Sequence, residues 1–60
     1  SGFGTEEEWI FKNLLPLSNH SFNHVVKAFS IRDGENLPQW LMGDLSDSDY
    51  KRLADKFEIL

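Results

Sequence analysis

The sequence predicts an all-α fold, a compact bundle of four short helices, and three observations carry that prediction. Apolar residues recur at helical spacing, most clearly Phe22, Val25, Val26 and Phe29, the i, i+3, i+4, i+7 pattern of a half-buried helix. Each periodic segment opens on a side chain able to accept from free backbone N–H groups: Thr5, Ser18, Asn36 and Ser46. Proline and glycine then punctuate the gaps, at Pro16, Gly34 and Gly43. With 60 residues the chain makes one domain, over 1–60, with a small core. Ser1-Gly2 reads as a cloning remnant, which would make the chain an excised domain.

The first helix is expected in "TEEEWIFKNLLP". Thr5 caps it, Glu8 completes a capping box, and Glu6 to Glu8 suit the positive end of the helix dipole. Ile10, Phe11, Leu14 and Leu15 line one broad side, and Pro16 stops it. The second helix follows in "LSNHSFNHVVKAFSI", with Ser18 as cap and Leu17 stapled to Phe22; Gly34 supplies the left-handed residue that breaks it. In "NLPQWLMG" Asn36 caps, Pro38 fits a first turn, Leu37, Trp40 and Leu41 share a face, and Gly43 closes the helix. The last helix begins in "LSDSDYKRLADKFEIL", where Ser46 and Asp49 form the cap and Leu45 to Tyr50 the staple. Tyr50, Leu53, Ala54 and Phe57 form its buried stripe, and Ile59-Leu60 is expected to pack as an extended end.

The totals exclude several function classes. Six basic against ten acidic residues give a net charge of −4, and the basic ones form no stripe, which disfavours nucleic acid as the main partner. No apolar run approaches a membrane span, and no signal peptide is present. With no cysteine, neither a disulfide nor a thiolate metal site can staple the chain, and an intracellular setting fits. For a chain this short, oligomerisation or a partner is the remaining source of added stability.

Three constellations resemble sites and have simpler explanations. Asp44, Asp47 and Asp49 lack the alternate spacing, turn glycine and closing glutamate of a calcium loop. Thr5 and Ser46 carry an acidic residue at +3, the spacing of an acid-directed phosphorylation site but equally of a capping box, which accounts for both. His20 and His24 stand four apart on one helix, yet the sequence places no third zinc ligand, and they read as two solvated histidines. No metal or other cofactor is expected. There is no cysteine nucleophile, no serine in a strained elbow and no ligand-sized cleft expected in so small a bundle, so an enzyme is not expected. The helix-turn-helix look of "LPQWLMGDLSDSDYKRLADKF" gives the nucleic-acid alternative, with Lys51, Arg52 and Lys56 as contacts; Asp47 and Asp49 at the start of its second helix would repel phosphates.

Two tryptophans, one tyrosine and five phenylalanines are many large rings for one small core. Either all of them are core, or a subset forms a self-association patch, from Phe3, Trp9 and Phe11 or from the carboxy-terminal Phe57, Ile59 and Leu60. The length, the four helices and the ending "DYKRLADKFEIL" make the chain resemble the C-terminal domain of the budding-yeast Rap-interacting factor family of telomere-length and replication-timing regulators. That domain is in turn similar to the carboxy-terminal domain of bacterial RNA polymerase α subunits. The resemblance implies a nuclear, telomeric module that self-associates as a tetramer and helps dock on the telomeric repressor/activator protein. The DNA contacts of the polymerase-like relatives come from basic residues near helix starts, where this chain has Asp47 and Asp49. A monomeric adaptor that holds a partner peptide in a groove is the third expectation.

Overall fold

A computed structural model of the chain describes residues 5–60, with side chains described from Glu7 onward except that of Asp33. Its helices are α1 (Thr5–Leu14), α2 (Asn19–Asp33), α3 (Leu37–Asp44) and α4 (Asp47–Ala54), with no strand among the described residues. The all-α bundle is as the sequence predicts.

Capping explains where three of the helices begin. The Ser18 hydroxyl accepts from the Ser21 N–H at 3.0 Å, the Asn36 side-chain Oδ1 from Gln39 N–H at 3.2 Å, and the Ser46 hydroxyl from Asp49 N–H at 3.2 Å. All three caps have extended backbones, so each fixes the entry angle as well as satisfying a free donor. The Thr5 cap and its capping box rest on a side chain outside the described ones, as does Phe3 altogether.

Two glycines expected to do the same work behave differently. Gly34 adopts φ 67° and donates its N–H to Ser30 O at 3.0 Å, the left-handed stop that a residue with a Cβ resists. Gly43, by contrast, lies inside α3, which runs on to Asp44. Leu45 closes that helix from an extended conformation, donating its N–H to Leu41 O at 2.9 Å while its own side chain enters the core. Burial of the leucine, rather than glycine's freedom, sets this boundary.

The core is built by all four helices and their flanks: Ile10 and Leu14 from α1, Phe22 from α2, Leu37 and Leu41 from α3, then Leu45, Leu53 and Phe57. At its centre the rings of Phe22 and Phe57 stack with centroids 4.0 Å apart and planes 9° from parallel. Beyond α4 the chain turns instead of extending. Leu60 N–H donates to Phe57 O at 3.1 Å, and Glu58 N–H to the Asn19 side chain at 3.4 Å. The turn folds Leu60 back against the core and leaves Ile59 exposed.

Candidate functional site

The described residues of the two candidate self-association patches, Trp9 and Phe11 or Phe57, Ile59 and Leu60, have different surroundings in the fold. Phe57 is 0% exposed and stacks on Phe22, as its place in the buried stripe of the last helix predicts, so the alternative that put it in a surface patch is corrected. Phe11 is half-buried and lies beneath the Arg52 guanidinium, 4.6 Å from its ring centroid. Leu60 is half-buried against the core, and Ile59 borders a different recess, with Val26 and Pro38. Of the described patch residues, Trp9 alone is both exposed, at 61%, and part of an all-apolar groove.

That surface is a groove of about 200 Å³ lined by α1 (Trp9, Ile10, Leu14), α2 (Val25, Phe29) and α3 (Leu37, Trp40). Every lining residue is apolar. Ile10, Leu14 and Leu37 are core residues and form the floor; Val25, Phe29 and Trp40 are half-covered walls. Phe29 and Trp40 lean together with ring centroids 6.1 Å apart and tilted 49°, so the two rings brace each other while leaving an edge to solvent. An exposed, rigid aromatic beside an apolar slot is the arrangement that interface centres favour.

Sequence periodicity assigned Val25, Phe29, Leu37 and Trp40 to the core and therefore missed them as a surface. The missed signal was helix length. The 15 residues of α2 give it a span of about 22 Å, while the 8 residues each of α3 and α4 give about 12 Å. Such short neighbours cannot cover its whole stripe, and only Phe22, in its first half, is sealed. Ile31, nine residues from Phe22 and so on the opposite face of α2, is 76% exposed for a different reason.

The basic residues of the nucleic-acid alternative are all engaged within the chain. Arg52 covers Phe11; Lys56 donates to the Leu15 carbonyl and lies 5.3 Å from the Phe57 ring; Lys51 pairs with Asp55 at 3.7 Å, on exposed side chains. Lys56 thereby places a cation at the carboxy end of α1, where free carbonyls and the helix dipole favour one. These contacts make α4 a lid over α1. The Arg52 and Lys56 stems lie along Phe11 and Phe57, while all three basic residues remain exposed.

The expected absence of a ligand-sized cleft needs correction. An open recess of about 520 Å³ runs along Val26, Ser30, the Gly34–Asn36 turn, Pro38 and Ile59, within the size range of small-molecule sites. Glu35 is the one ionisable residue lining it, so it offers no acid–base pair. His20 and His24 stand exposed on α2 with ring centroids 4.7 Å apart. No group of three or more metal-ligating side chains gathers among the described residues, and no helix is long and apolar enough to cross a membrane.

No protein-family model, characterised protein or solved structure matches the chain.

Proposed function

We propose that the chain is a non-catalytic self-association and protein-interaction module whose contact centre is the α1–α2–α3 groove with Trp9 at its edge. One observation carries this reading: in a chain of 60 residues, a tryptophan 61% exposed stands beside a slot lined only by apolar side chains. Covering the groove with a second copy extends a core of eight buried side chains, the route by which so small a domain gains stability without a disulfide. Assembly then multiplies weak contacts of a longer host protein with arrayed partners, raising avidity without new chemistry. In the setting implied by the resemblance to the Rap-interacting factor family, the module is a nuclear, telomeric tetramer that strengthens docking on the telomeric repressor/activator protein.

Sedimentation equilibrium from micromolar to millimolar chain tests the reading. The average mass is expected to rise with concentration, and Trp9→Ala to weaken association by about 30-fold or more, the loss of one interface hot spot. A monomer at every concentration would refute self-association. The same groove also suits a monomeric adaptor, because an amphipathic helix can lay its anchors along an open apolar slot. That second reading predicts a monomer whose tryptophan fluorescence shifts only when a partner peptide is added.

A further inference from the structure

The two histidines of α2 are left unused by the groove and by the core. His20 and His24 are both exposed, and they share a surface hollow of about 250 Å³ with Asn23 and Lys27. Their i, i+4 spacing stacks them on one face of a helix, the placement by which two imidazoles reach one ion. The ring geometry goes further than the spacing. An ion bound at about 2.1 Å by a ring nitrogen stands about 3.2 Å from that ring's centroid, so centroids 4.7 Å apart subtend about 95° at a shared ion. The two rings meet edge to face, with planes 65° apart, so binding requires χ2 to turn a nitrogen of each toward that point, a rotation that leaves the centroids nearly in place. A tetrahedral ion, at about 109°, would want the centroids about 5.2 Å apart.

We infer that His20 and His24 form a two-nitrogen chelate for a divalent transition-metal ion of tetragonal preference, Cu²⁺ before Ni²⁺. An angle near 90° is the cis angle of that geometry, imidazole is a ligand suited to it, and Cu²⁺ heads the order of divalent affinities. With no third His, Cys, Asp or Glu gathered among the described residues, water fills the remaining positions, and Asn23 offers an amide oxygen beside them. Lys27 in the same hollow opposes a cation, so the ion is exchangeable and not a structural staple. Bound, it ties one turn of α2 to the next within that helix's first half. The site is independent of the groove, which takes Val25 and Phe29 from the same helix.

Calorimetric titration of CuCl₂ into the whole chain tests this, with His20→Ala and His24→Ala run in parallel. Both positions are exposed, so the variants keep the fold, which far-ultraviolet circular dichroism verifies. The parent is expected to bind one ion per chain at the pair. Each single variant is expected to lose about 100-fold in affinity, because the second ring no longer binds intramolecularly. A second readout is thermal: Cu²⁺ raises the melting temperature of the parent and leaves that of each variant unchanged. Parental affinity in either variant, or an equal thermal shift in all three chains, would overturn the site.

Discussion

Phe57 and Trp9 are both large rings near an end of the chain, yet one is 0% and the other 61% exposed. The difference lies in what each helix has for a neighbour. Around Phe57 the molecule is closed three times over: Phe22 stacks on it, Lys56 lies across its ring, and the final turn returns Leu60 to the core. Around Trp9 nothing comparable exists: it stands one position off the buried Ile10 and Leu14 of α1, at the edge of the groove. In a bundle this small, a ring is sealed only where neighbouring side chains and a returning chain end reach it. The sealed end accounts for stability, and the open face is the one proposed for interaction.

The sharpest way to break this contrast is to open the sealed end. Phe57→Ala removes a fully buried ring and its stacking partner contact, and should cost about 3–5 kcal/mol, enough to unfold most of the chain; urea denaturation followed by circular dichroism measures it. The two glycines come next, with opposite signs. Gly34→Ala should destabilise by about 1–2 kcal/mol, because a Cβ resists the left-handed conformation although space for it is open. Gly43→Ala, in the last turn of α3 with open space around it, should stabilise by about 0.5 kcal/mol. Thermal melts of the pair settle both, and equal signs would refute the assignment of Gly34 alone as a stop. Loosening the lid is milder: Arg52→Ala should cost about 0.5–1 kcal/mol through its lost contact with Phe11, seen in the same melts. Smallest of all, Trp9→Ala should change the stability of the dilute chain by no more than about 0.5 kcal/mol, although it weakens association. A large loss there would place Trp9 with the core.

Much of the fold was legible in the sequence, and the parts that were not share a cause. Ser18, Asn36 and Ser46 announce their helices because a cap is a local interaction, decided within three residues. Gly34 was legible for the same reason. Gly43 misled because the end of α3 is decided by Leu45 reaching the core, a tertiary event. The surface was least legible. Trp9 stood among the rings offered for a surface patch, and Phe57 read both as buried stripe and as patch, but Val25, Phe29 and Trp40 looked like core. Only the mismatch between a 15-residue helix and 8-residue neighbours tells these apart, and periodicity carries no information about what covers a stripe. Lys51, Arg52 and Lys56 likewise read as free charges until α4 is seen lying against α1.

The central claim, that the open groove is the contact surface, is tested most directly by an isotope-filtered NOE experiment on a mixture of labelled and unlabelled chains. The account predicts intermolecular cross-peaks to the Trp9 and Trp40 indoles, Val25 and Phe29. Cross-peaks confined instead to Ile59 and the carboxy end, with none to Trp9, would contradict it.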